Sequence, residues 1–212
     1  MPTLSSVLIN RGMPGVQEQL AHPTVAAIAR GDIDPGVFRA WVEQDYLFLL
    51  DYVRVFSRLA WRAPDEHLGD LIDLAYATWH DELSLHRGLA DEVGADLEHA
   101  TKGPVCVAYT SFLLESAADY GRGLAALFPC MWGYSTLGRT LALDPPADPL
   151  CARWIATYAD PAFAVLTDRC AQMLDEAHDA GLVDEIMATA TFDEAMAHEL
   201  AFWGVSGAVR SV

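Results

Sequence analysis

A chain of 212 residues with 52% hydrophobic content has enough apolar material for a substantial core and the length of one domain. Its net charge is −17, from 30 acidic against 13 basic residues, which argues against nucleic-acid binding and disfavours anionic membranes, since phosphate contacts need clustered Lys and Arg. The four cysteines, Cys106, Cys130, Cys151 and Cys170, form no CxxC or zinc-type pair. No charged start with an apolar core marks a signal peptide, and no run nears the roughly 20 apolar residues of a membrane helix. The expectation is a reduced, cytoplasmic, globular protein.

The pattern along the chain is helical almost throughout. Helices are expected near 3–21, 23–30, 35–61, 66–93, 104–121, 123–142, 149–158, 161–180 and 191–209. Asp34-Pro35, Asp148-Pro149 and Asp160-Pro161 each set a capping acid before a first-turn proline. Thr191-Phe192-Asp193-Glu194 reads as a capping box for the last helix, and Gly94 and Gly181 sit where helix ends are expected. In the 35–61 segment, Phe38, Trp41, Val42, Tyr46, Leu49, Leu50, Val53 and Phe56 recur at intervals of three and four, which makes one buried face. Gly and Pro are read as falling between helices. With no internal repeat and no linker, an all-α bundle of mostly antiparallel neighbours in a single domain, 1–212, follows.

Chemistry concentrates in Phe128-Pro129-Cys130-Met131-Trp132-Gly133-Tyr134. Pro129 reads as a turn entering or redirecting a helix, with Cys130 directly after it. Cys130 and Tyr134, four apart, share a helix face, and cysteine is the side chain best suited to nucleophilic attack near neutral pH. The other three cysteines read as small buried hydrophobes. Asp45 lies between Val42 and Leu49 on the core side of its helix, and carboxylates are seldom buried without a purpose. Phe48, three residues on, shares that face. Tyr109 and Tyr158 read, by periodicity alone, as core aromatics. Glu82 with His86, and Glu194 with His198, have a spacing that could ligate a di-metal centre. Bundle metal sites favour i, i+3, however, and Glu82 with His86 reads as a structural or exposed pair.

The chain resembles the TenA (thiaminase II) family of heme-oxygenase-like helical folds. The resemblance rests on His22-Pro23, Gln44-Asp45-Tyr46-Leu47, Glu82-Leu83-Ser84-Leu85-His86-Arg87, Tyr109-Thr110-Ser111-Phe112, Leu127 to Tyr134, Trp154 to Pro161 and Phe202-Trp203. It implies an aminopyrimidine aminohydrolase of thiamin salvage. Such an enzyme hydrolyses 4-amino-5-aminomethyl-2-methylpyrimidine, and in many members thiamin, with neither metal nor organic cofactor. It implies Cys130 as nucleophile, Asp45 as the carboxylate that hydrogen-bonds the aminopyrimidine, and Tyr109 and Tyr134 as pocket phenols, one of them tuning the thiol. Tyr158 would stack on the ring and Phe48 would cover it. The small-molecule partner would be an aminopyrimidine or thiamin, and the assembly a homotetramer.

One departure stands out. The resemblance implies an acid directly after Phe202-Trp203, where this chain has Gly204. Glu199, five residues earlier and about 140° away around a helix, is not an evident substitute. Two alternatives therefore stay open. Gly204 suits a non-catalytic pyrimidine or thiamin binder or an enzyme of diverged substrate, and the Glu-x-x-x-His pairs suit a metal-dependent oxidase of the same fold.

Overall fold

The computed structural model describes residues 2–205, and they fold into helices with short connections. In chain order these are α1 (Leu4–Ala21), α2 (Pro23–Arg30), α3 (Pro35–Arg62), α4 (Asp65–Ala77), a π-helical turn (Thr78–Glu82), α5 (Leu83–Val93), α6 (Pro104–Ser116), α7 (Tyr120–Leu141), α8 (Pro149–Ala159), α9 (Pro161–Asp179) and α10 (Glu185–Phe202). No strand occurs among the described residues, and none of their helices is long and apolar enough to cross a membrane.

The acid–proline starts behave as their chemistry requires. Asp34 Oδ1 accepts from the amides of Gly36 and Val37 at 2.9 and 3.0 Å, Asp148 Oδ1 from Cys151 at 2.8 Å, and Asp160 Oδ1 from Ala162 at 2.7 Å. Gly94 and Gly181 have φ of 66° and 72°, the left-handed conformation that ends a helix.

Four expectations fail locally. Pro129 lies inside α7 and makes no turn, and Pro14 lies inside α1. Thr191 starts no helix: α10 begins at Glu185, where Asp184 caps the amide of Met187 at 3.0 Å, and Thr191 is buried within it. The stripe Ala188, Phe192, Ala195, Met196 and Phe202 carries the buried face back past Thr191. The break expected at residue 122 falls earlier, because Asp119 caps Arg122 at 2.8 Å. The 66–93 helix is interrupted by the π turn, where the Leu83 amide bonds the Thr78 carbonyl five residues back. Residues 206–209 of the last expected helix lie outside the described residues.

Helix α7 is central and packs on α1, α6, α8, α9 and α10, while α3 packs on α4, α5, α6 and α7. Their shared core contains a cluster of indoles. Trp41 and Trp203 stack at 5.6 Å with planes 5° apart, and Trp154 meets both edge-on at 5.8 and 5.9 Å. Tyr134 stacks on Trp203 at 5.5 Å. Through Tyr134 this cluster backs onto a narrow hollow between α3 and α7.

Candidate active site

Helices α3, α7, α8 and α9 and the π turn line a narrow pocket. Along α3, Asp45, Phe48, Leu49 and Tyr52 project into it at helical intervals. Helix α7 supplies Cys130, Met131 and Tyr134, and Tyr158, Phe163 and Glu82 complete the wall. The sequence candidates Asp45, Phe48, Cys130, Tyr134 and Tyr158 thus share one hollow. Tyr109 does not line it: it lies behind, 1% exposed, with its ring 5.0 Å from Phe48.

The thiol has a polar setting. Cys130 is the one cysteine of the four that is not fully buried. Burial, then the carboxylates of Glu199, Glu82 and Asp45, push its pKa well above the ordinary thiol value, and the Tyr52 hydroxyl opposes that rise. The Tyr52 hydroxyl is held in place by donating to the Leu127 carbonyl at 2.9 Å. Pro129 has no N–H to donate within the helix. Tyr52, which was not among the sequence candidates, thus also borders the thiol, alongside Tyr134 in the same wall.

Glu199 overturns the reading of the C-terminal segment. Gly204 is exposed and Glu199 is 2% exposed, on the core side of α10. The Tyr109 hydroxyl donates to Glu199 Oε1. Burial lifts this carboxyl to about 7, against the stabilising bonds from Tyr109 and from the Cys130 thiol. The 140° offset relates Glu199 to Gly204, which faces solvent. Three and four residues place Glu199 about 60° and 40° from Phe202 and Trp203, both buried, so all three share a face. The signal was present as a glutamate inside the apolar stripe Phe192, Ala195, Met196 and Phe202.

Glu82 and His86 also belong to the site and are not a surface pair. His86 is fully buried, with Nδ1 2.8 Å from the Glu82 carbonyl and Nε2 2.6 Å from Asp45 Oδ2. Glu82 accepts from the Thr78 hydroxyl at 3.1 Å, and burial lifts its carboxyl to about 7. The second pair is different: Glu194 is exposed and the His198 ring stacks on Tyr109 at 5.1 Å. No group of three His, Cys, Asp or Glu suited to a metal ion occurs among the described residues.

The amino-acid sequence matches the TENA/THI-4/PQQC family over residues 14–208. The chain belongs to that family. Among TENA/THI-4/PQQC relatives, the aminopyrimidine aminohydrolase of Halalkalibacterium halodurans is 32% identical over 185 residues, covering 82% of this chain and 81% of the relative. The Bacillus subtilis aminopyrimidine aminohydrolase is 30% identical over 193 residues, covering 87% and 81%. Among solved structures, the TenA homologue of P. horikoshii superposes with a TM-score of 0.87 at 23% identity, covering 97% of this chain and 98% of that one. That agreement shows the fold: an all-α bundle, as the sequence reading expected.

Proposed function

We propose that this protein is an aminopyrimidine aminohydrolase of thiamin salvage, hydrolysing 4-amino-5-aminomethyl-2-methylpyrimidine to its hydroxymethyl counterpart and also cleaving thiamin. The observation that carries the reading is the convergence of Cys130 and Asp45 on one aromatic-walled hollow, with the buried Glu199 carboxyl acting on the Cys130 thiol from behind it. The curated relatives named for this activity, at about 30% identity over most of the chain, support it.

The family resemblance and the lining of the hollow support the following roles. Phe48, Tyr134 and Tyr158 hold a flat ring, which supplies orientation. Asp45 hydrogen-bonds the amino-bearing edge of the ring. The Cys130 sulfur adds to the electron-poor ring carbon next to the one bearing the CH2–N arm, and its proton passes to Glu199. Ring electrons then expel the amine, which leaves with the proton held by Glu199. Water adds to the exocyclic carbon, giving one proton back to the carboxylate, and the carbon–sulfur bond breaks as the thiol is re-formed. Because the thiol pKa lies far above that of Glu199, proton removal must accompany carbon–sulfur bond formation.

Glu199 supplies the carboxylate whose loss at Gly204 suggested a mere binder, which favours the hydrolase. We also propose a cytoplasmic homotetramer with no nucleic-acid or membrane partner. The family resemblance supports the assembly, and free thiols suit a reducing compartment. The test is the Cys130→Ser variant. Ammonia release from the aminomethylpyrimidine should fall by about 10³-fold or more while the hydroxymethyl product still binds. Undiminished turnover would remove the nucleophile role. Mass spectrometry of a long incubation that finds no hydroxymethyl product from the wild type would leave a binding protein.

A further inference from the structure

The Asp45–His86 contact holds more information than a pair of buried charges. His86 Nδ1 lies 2.8 Å from the Glu82 carbonyl, and a carbonyl only accepts. Nδ1 therefore carries a hydrogen in every protonation state, and Nε2 is the position that titrates. Nε2 is buried, makes no well-aligned hydrogen bond, and sits 2.6 Å from Asp45 Oδ2. At that separation one hydrogen must lie between the two atoms, and an Nε2 that carries it makes an ion pair with the carboxylate.

We propose that His86 is a positioning residue whose Nε2 holds Asp45 Oδ2 turned to the imidazole and so leaves Oδ1 as the acceptor for the ligand, so that the pocket accepts a heterocycle edge presenting N–H donors and rejects one presenting carbonyl oxygens. This rests on the aminopyrimidine reading and adds to it the chemical class of the edge. A carboxylate oxygen held toward the ring accepts hydrogen bonds, so it suits an exocyclic amine and a neighbouring ring N–H and sets its lone pairs against an oxo group. The protonated ring is also the better electron sink for the adding sulfur.

The surroundings fit. Asp45 on α3 and Glu82 on the π turn are the charged groups against the imidazole. Cys130 and Tyr134 of α7, Tyr158 of α8 and Glu199 of α10 lie beyond Asp45, and none is a cation. Burial pushes the imidazole pKa down, but Asp45 and Glu82 outweigh it and the net displacement is upward. The tilted Trp41 ring, 6.1 Å away, closes the remaining side.

Two substitutions separate pinning from mere packing. In His86→Gln the amide nitrogen can donate to Asp45 without titrating, and in His86→Leu nothing donates. Affinity for 4-amino-5-hydroxymethyl-2-methylpyrimidine is followed from pH 6 to 10 by calorimetry. The Leu variant should bind about 10–100-fold more weakly at pH 6, the usual range for a lost hydrogen bond to a charged group. The Gln variant should bind within about 5-fold of wild type. The wild type alone should lose affinity as the imidazole deprotonates above 6.5, while titration of the ligand itself is common to all three. In parallel, ¹⁵N spectra of the unliganded wild type should show both ring nitrogens protonated at pH 6. A Leu variant with the wild-type pH profile, or an unprotonated Nε2 at pH 6, overturns the proposal. The spectra decide even if the Leu variant does not fold. Neither arm needs turnover, so a failed hydrolysis assay with intact pinning would refute the hydrolase reading alone.

Discussion

Burial raises the pKa of all four cysteines, with Cys106, Cys151 and Cys170 each pushed to about 12. Acidity therefore does not mark the proposed nucleophile: access does, since Cys130 alone among them lines the pocket. Glu199 has a consequence for both activity and stability. Its carboxyl is raised from 4.5 to about 7, so the folded state holds its proton more tightly than the unfolded chain. That contribution to stability is fully present below pH 4.5 and is lost as pH rises through about 7. Glu199→Gln removes the liability. Its stability relative to wild type should grow between pH 5 and 8, to about 3 kcal/mol at most, while hydrolysis falls by about 10²–10⁴-fold. Urea melts across that pH range check the first effect, and a difference that shrinks as pH rises would contradict it. Wild-type kcat/KM should climb through an acid limb near 7 as Glu199 ionises to take the thiol proton.

Two helical irregularities aim the side chains of the site. The π turn adds one residue to a helical turn at Thr78–Glu82. It rotates α5 by about 100° relative to an unbroken α-helix, and Glu82 then faces the pocket with His86 against Asp45. The second is the close approach of α7 to α8 at Gly138. A Cβ there would lie 2.5 Å from the Tyr158 carbonyl carbon and 2.7 Å from the Ala159 amide nitrogen, both backbone atoms that cannot swing aside. Gly138→Ala should push α8 outward and carry Tyr158 away from Tyr134, whose rings are 4.9 Å apart. Overpacking of this kind costs about 1–3 kcal/mol. The expected outcome is a lower Tm together with a raised KM for the aminomethylpyrimidine. An unchanged KM would mean that Tyr158 does not hold the ring.

At the scale of the molecule, the chain's two ends are tied across the core. The Trp203 indole donates to Gln19 Oε1 at 3.0 Å, and the Thr24 hydroxyl donates to the Trp203 carbonyl at 3.0 Å. These ties anchor the end of α10 and with it Glu199. The surface is strongly acidic, yet Leu68, Ile72 and Tyr76 recur at four-residue steps along α4, exposed by 38%, 53% and 62%. One helix face is therefore apolar on a chain of net charge −17, where like-charged copies would otherwise repel. Light scattering should give about 92 kDa, four times 23.1 kDa, for the proposed tetramer. Ile72→Glu should shift the mass downward if α4 lies in an interface. A wild-type mass of 23.1 kDa would end the tetramer proposal.

How much was legible depends on where each signal lives. Helix starts at Asp34, Asp148 and Asp160, stops at Gly94 and Gly181, and most of the buried face of α3 are local properties, set within a few residues by capping chemistry and the 3.6-residue period, so the sequence alone determined them, although Tyr46, Leu50 and Val53 are only half-buried and Tyr52 and Val55 are buried instead. The motif residues Asp45, Phe48, Cys130, Tyr134 and Tyr158 could likewise be named in advance. The tertiary structure decided which groups meet: Glu199 with Tyr109 across 90 residues, His86 with Asp45, and Tyr52 beside Cys130. Those pairings depend on interhelical packing and on one extra residue in a π turn, and neither leaves a mark in the local periodicity. A buried carboxylate reads in sequence as an interruption of an apolar stripe, and only the opposing helix reveals what that carboxylate faces.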